Sequence, residues 1–147
     1  MKEVADHLNA IIKQYYPKLQ RVTEEESANP LTEGKWSRKQ ILGHVIDSAS
    51  NNQQRFIRAQ LSDHVDLPEY TQNDWVRLNG YERESWNELL QLWRSYTLHL
   101  AHILAEMPAE VLHHTISLSS NPPKTLKFVA EDYVRHLVHH LEQMKLG

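Results

Sequence analysis

Trp36-Ser37-Arg38-Lys39-Gln40-Ile41-Leu42-Gly43-His44-Val45-Ile46-Asp47-Ser48 is the stretch whose reading decides the fold. Ser37 followed by Gln40 is a capping box, in which the hydroxyl accepts from the backbone N–H three residues on and the glutamine side chain reaches back to the N-cap amide. Trp36, one residue before the cap, is placed to staple onto Ile41. Beyond the cap, Ile41, Leu42, Val45, Ile46, Ala49, Phe56, Ile57 and Leu61 keep the 3-to-4 spacing of a buried helical stripe. This predicts one helix from Ser37 to about Ser62.

The same periodicity extends to both sides. Val4, Leu8, Ile11, Ile12, Tyr15, Leu19 and Val22 predict a helix over Glu3 to Thr23, with Pro17 expected to kink or break it. Glu24-Glu25-Glu26 and Ser27-Ala28-Asn29-Pro30 read as a loop. Asp63 to Gly80, with Pro68, Asn73 and Asn79, reads as a long loop that Tyr70 and Trp75 could pack. Trp86, Leu89, Leu90, Trp93, Tyr96, Leu100, Ile103 and Leu104 place a third helix over Glu82 to Met107, which Pro108 ends. His113 to Leu118 alternates weakly and reads as a short extended piece, stopped by Asn121-Pro122-Pro123. Thr125 caps a fourth helix running to about Lys145. Four amphipathic helices of this length make residues 1–147 a single all-α domain, an up-down four-helix bundle whose long loop between helices two and three crosses over.

Composition narrows the function. Lys+Arg 16 against Asp+Glu 19 gives a net charge of −3, so no basic excess points to nucleic acid or to an anionic membrane. No apolar run approaches the ~18 residues of a membrane span, and the N-terminus lacks the apolar region of a secretion signal. A cytoplasmic protein is expected. With no cysteine, a disulfide framework, a thiolate metal site and a cysteine nucleophile are excluded. Ten histidines then raise the question of a metal, since imidazole without thiolate suits zinc, nickel, copper or iron.

Two histidine-bearing segments carry the chemistry. In Arg135-His136-Leu137-Val138-His139-His140, His136 and His140 lie four apart and share one helix face, so both can reach one ion. On the second helix Asp47, Ser48, Asn51 and Arg55 fall within about 60° of His44 and form with it a polar stripe beside the apolar one. The stripe either borders solvent or is a buried wall facing helix four. Asp47 and Arg55 fit three roles: anchoring a metal-bound histidine, contacting substrate, or pairing with each other across two turns.

The run Gly34-Lys35-Trp36-Ser37 through His44 to Asp47-Ser48 resembles the second-helix signature of the DinB/YfiT-like family of metal-binding four-helix bundles. Asn51, Arg55 and Phe56 match it too, and Tyr133 to Leu141 resembles the family's fourth-helix His-x-x-x-His. Tyr16-Pro17-Lys18-Leu19 and the Trp75 loop fit the same pattern, so the resemblance spans nearly the whole chain. It implies that His44, His136 and His140 bind one divalent metal ion per chain, nickel or zinc. It also implies a metal-dependent enzyme, hydrolase-like or a transferase of a low-molecular-weight thiol such as bacillithiol, mycothiol or glutathione to an electrophile. A non-catalytic stress-response bundle with a structural or vestigial metal is the alternative. The catalytic residues stay unassigned, with Asp47, Asn51 and Arg55 as candidates for substrate contact or ligand support. The family's habit and the aromatic-rich third helix suggest a homodimer. Gly43 departs from the pattern, standing where YfiT-like members carry a second histidine.

Of the other histidines, His99 and His102 read as partly exposed residues near a helix C-terminus, where the dipole favours them. His113 and His114 are adjacent and expected to point apart. His7 and His64 stand alone.

Overall fold

The structure is a computed structural model describing residues 1–147. Its long helices are α1 (Lys2–Gln20), α3 (Arg38–Arg58), α5 (Trp86–Glu106) and α6 (Leu126–Gln143). Between them lie the short α2 (Glu24–Ala28) and α4 (Gln72–Asn79) and the strands β1 (His64–Leu67), β2 (Thr115–Leu118) and β3 (Lys124–Thr125). Each long helix has the cap that its sequence encodes where one is encoded. Ser37 Oγ accepts from Gln40 N, and Gln40 Oε1 accepts from Ser37 N at 2.8 Å. Thr125 Oγ1 accepts from Phe128 N at 3.1 Å, and Ser85 starts α5 in the same way.

α1 packs on α5 and α6, and α3 packs on the same two. The helices therefore ring the core in the order α1, α5, α3, α6. Contacts at the helix ends give their directions. Glu24 on α2 bonds Lys39 at the start of α3 and the backbone N–H of Trp86 at the start of α5, so these two helices begin together. At their other ends, His114, just past α5, bonds the carbonyl of Ala59, just past α3. α3 and α5 are thus parallel neighbours. Arg38 Nε donates to Met144 O, which sets α6 antiparallel to α3, and Trp86 Nε1 donates to Leu19 O, which sets α1 antiparallel to α5. Strict up-down alternation is therefore replaced by two parallel pairs in the ring, α1 with α6 and, successive among the long helices, α3 with α5. The second pair makes the long crossover necessary, because residues 59–85 must return the whole length of the bundle.

The crossover is not structureless. It carries β1, α4 and a single 3-10 turn at Tyr81–Arg83, with α4 and that turn laid along α3. β1 pairs in parallel with β2, Val65 opposite Ile116, and β2 pairs with β3 in antiparallel fashion. A two-strand parallel contact between segments some fifty residues apart has no local sequence signature, and neither strand alternates strongly. Helix α1 runs through Pro17 without a break; near the C-terminal end, the proline removes only one backbone bond. The acidic segment after α1 is α2, with its own capping box between Thr23 and Glu26.

The core is filled from all four long helices. Trp93, Phe56, Leu8, Leu89, Leu104 and Leu141 are almost wholly buried. Because α4 and the Tyr81 turn cover the side of α3 that α5 and α6 leave open, residues 41–47 are buried without exception. No helix is long and apolar enough to cross a membrane.

Candidate metal centre

His44 lies two turns into α3 and His140 lies in the last turn of α6. The antiparallel packing of these helices brings their rings together, with the two Nε2 atoms 3.0 Å apart and the rings edge-on. Two imidazole nitrogens sharing one tetrahedral ion at 2.0–2.1 Å would stand about 3.3 Å apart, so the observed spacing is close to that of a chelating pair. The Trp36 indole leans over the His44 ring, with centroids 5.3 Å apart. The tryptophan that precedes the cap therefore also roofs the histidine.

Protonation states follow from the partners. His140 Nδ1 is 3.0 Å from Gln143 Oε1, an acceptor only, so Nδ1 carries the proton and Nε2 the lone pair. His44 then donates through Nε2, and its buried Nδ1 is left with a lone pair and no partner. An ion between the two Nε2 atoms removes the need for that shared proton, which is how the donor set fits a metal. Burial, reinforced by the charges of His140 and His136, lowers the His44 pKa to about 4. Burial also lowers that of His140. Near pH 7 both rings are neutral, the form a metal binds.

His136 sits one turn before His140 on the same face. Its side chain is exposed, and Nε2 lies 3.4 Å from Asp132 Oδ2. It lines the same cavity as His44, but its nitrogens do not complete a three-donor cluster with the other two.

Asp47 is 2 % exposed and faces away from α6, toward the crossover. Its Oδ1 accepts from the Tyr81 hydroxyl at 2.5 Å and from Asn79 Nδ2 at 3.0 Å, while Oδ2 has no partner. Burial raises its pKa to about 6, against the pull of the Tyr81 hydrogen bond. Burial and the adjacent carboxylate push Tyr81 well above the usual phenol range. Gly43 makes this arrangement possible: a Cβ there would lie 2.1 Å from Tyr81 Cδ2 and within 2.6 Å of Cγ and Cε2, against the face of the ring. A histidine at position 43 would exclude Tyr81 from its place.

A cavity of about 570 Å³ runs from His44 and His136 along the groove between α3 and α6 to β2, a size that suits a small-molecule ligand. Ser48, Asn52 and Arg55 line it from α3, and Asp132 and Tyr133 from α6. Tyr70 closes it from the crossover, its ring resting 5.3 Å from that of Trp75. Arg55 is half-buried and forms no ion pair; the pairing with Asp47 weighed from the sequence is absent because Tyr81 and Asn79 take that carboxylate. Asn51 lies off the cavity and bonds the Asp47 carbonyl, and its neighbour Asn52 lines the wall instead. The polar stripe is thus part cavity wall and part buried anchor. Asp132 was missed in the sequence, although its place four residues before His136 on one face is a signal that finds it. Tyr70 has no such signal, because it arrives on the crossover.

A second cluster was not expected. Asp63, His113 and His114 bring three donor atoms within 4.8 Å of one another. The two histidines do not point apart, because they lie in the turn before β2 rather than in the extended strand. His99 and His102 are exposed on α5, as expected.

Two solved structures share the fold over almost all of this chain. YfiT from Bacillus subtilis, described as a probable metal-dependent hydrolase with an unusual four-helix bundle topology, is 20 % identical with a TM-score of 0.74, over 99 % of this chain and 86 % of its own. The mycothiol-dependent maleylpyruvate isomerase is 16 % identical with a TM-score of 0.80, over 98 % of this chain but only 60 % of the isomerase. Comparison with curated proteins gave no match. Residues 7–144 match the DinB superfamily as a family, and the chain belongs to that superfamily.

Proposed function

We propose that this protein is a metal-dependent enzyme that transfers a low-molecular-weight thiol to an electrophilic small molecule. His44, His136 and His140 would hold one divalent ion, nickel or zinc. The observation that carries the reading is the His44–His140 pair, two neutral imidazoles from facing helices with Nε2 atoms 3.0 Å apart at one end of a cavity. An ion bound by three histidines keeps a position open, lowers the pKa of a coordinated thiol and presents it as thiolate.

The chain's own residues supply the rest. Arg55 lines the cavity with no close ion pair, although Glu69 and Asp132 act on it from the same wall, and it would bind a carboxylate on the acceptor and fix its orientation. Phe128 and Tyr133 form the apolar side of the same wall. Tyr81 and Asn79 hold Asp47 in place and thereby fix the segment of α3 that carries His44. A structural metal is favoured less, because structural sites are closed by four protein ligands and this one opens on a cavity. The thiol-dependent neighbour and the DinB fold support the same reading. The homodimer has lost one support, since Trp86 and Trp93 on α5 are buried in the core; a solution mass at micromolar concentration tests it.

The test is metal analysis of the purified protein, then transfer of bacillithiol, mycothiol and glutathione to an electrophile carrying a carboxylate. Activity that disappears with a chelator and returns with nickel or zinc is the expected result. Arg55→Ala should raise KM for the carboxylate substrate more than for an uncharged one. Transfer unaffected by removal of the metal would overturn the mechanism, and a bound metal with no transfer of any thiol would leave the non-catalytic bundle.

A further inference from the structure

We propose that Asp63, His113 and His114 form a second site, for a divalent transition-metal ion, at the opposite end of α3 from His44. The fifteen residues between His44 and Ala59, at 1.5 Å each, separate the two places by about 22 Å. The cluster is built by long-range pairing. Thr115 N donates to Asp63 O at 2.9 Å, and Leu126 N donates to His114 O at 2.7 Å, so the backbone on both sides is pinned. The parallel register that sets His64 opposite Thr115 puts Asp63 beside His114.

The chemistry of the rings points to a cation. His114 Nδ1 lies 2.6 Å from the carbonyl of Ala59, which only accepts, so Nδ1 carries a proton and donates it. Ligand histidines are held in this way, one ring nitrogen bonded to a backbone carbonyl and the other free to coordinate. That other nitrogen, Nε2, faces Asp63 Oδ1 at 3.5 Å. A lone pair and a carboxylate facing each other across 3.5 Å form two sides of a seat for a cation. The His113 ring stands edge-on to His114 with centroids 5.0 Å apart and brings the third donor. Two imidazoles and one carboxylate suit zinc, nickel or copper(II). An ion there would tie the end of α3 to the link between α5 and β2 and leave its remaining positions to water.

Equilibrium dialysis of the full chain against zinc, with metal measured per chain, tests this. Asp63→Asn/His113→Ala changes only exposed side chains and leaves the His114–Ala59 bond intact. The parent should bind two ions, and this variant one. His44→Ala should still bind an ion, with an affinity that falls at least tenfold when Asp63→Asn/His113→Ala is added. Cobalt(II) substituted into His44→Ala should give a visible spectrum that the added changes abolish. A metal count and affinity unchanged by Asp63→Asn/His113→Ala would overturn the second site. Loss of the ion in His44→Ala alone would do the same while sparing the three-histidine reading.

Discussion

At the scale of single residues, Gly43 and Asp47 are the positions where the structure explains the sequence most directly. Gly43→Ala places a methyl group 2.1 Å from the Tyr81 ring, which cannot swing away without giving up its hydrogen bond and leaving the buried Asp47 carboxylate to Asn79 alone. Overpacking of this kind costs about 1–3 kcal/mol, so denaturant unfolding should show a loss of that size; a loss below ~0.5 kcal/mol would mean that the turn yields. Asp47 makes the opposite kind of prediction, one of slope. Its carboxyl titrates at about 6 in the folded chain against 3.8 when unfolded. Between those values the folded state holds more protons, so the Asp47 contribution to stability increases as pH falls through this window and is least favourable above it. Relative to Asp47→Asn, the metal-free parent should gain about 2 kcal/mol between pH 7 and pH 4. A difference between the two proteins that does not change with pH would show that the carboxyl is more solvated than its burial indicates.

At the scale of elements, α3 holds most of the site, and its start matters more than its length. The capping box sets the first turn, and His44 follows it by seven residues, so a frayed start would displace the ligand and the Trp36 roof together. Ser37→Ala should cost about 1 kcal/mol of stability and weaken zinc binding, whereas a binding loss with full stability would point to direct contact instead. The four long helices, the caps at Ser37 and Thr125 and the pair on α6 were legible in the sequence because each is encoded within a few residues, by a period, a hydroxyl or a spacing of four. Tyr70, Tyr81 and the Asp63–His114 cluster were not. They depend on where residues 59–85 lie along α3, and the bonds that fix that path, Tyr81 to Asp47 and Thr115 to Asp63, join residues far apart in sequence. The direction of α5 is the clearest case. Its periodicity gives a helix in either orientation, and long-range bonds, Glu24 to Lys39 and Trp86 at one end and His114 to Ala59 at the other, show that it runs parallel to α3.

At the scale of the whole molecule, the proposed three-histidine site joins α3 to α6 across their antiparallel interface, and stability should depend on metal accordingly. His136 and His140 are one turn apart on one helix and would remain neighbours in a partly helical unfolded chain. His44 is brought to them only by the tertiary fold, so an ion bound by all three binds the folded state alone. Binding of that kind stabilises by RT ln(1 + [L]/Kd), about 2.7 kcal/mol at a hundredfold excess over Kd. For a chain of this size that corresponds to a rise in Tm of about 8 °C. The measurement belongs in an Asp63→Asn/His113→Ala background, so that only one site contributes. There, nickel or zinc at pH 7.5 should raise Tm by this amount, and His44→Ala should abolish the rise. His99→Ala, on the exposed side of α5, should leave the rise intact. The rise should persist through the ordinary histidine range and shrink as pH falls toward about 4, because burial keeps His44 and His140 neutral in the folded chain until protons compete for their nitrogens there. An unchanged rise in His44→Ala, or an equal loss in His99→Ala, would remove His44 from the site and with it the link between the metal and the fold.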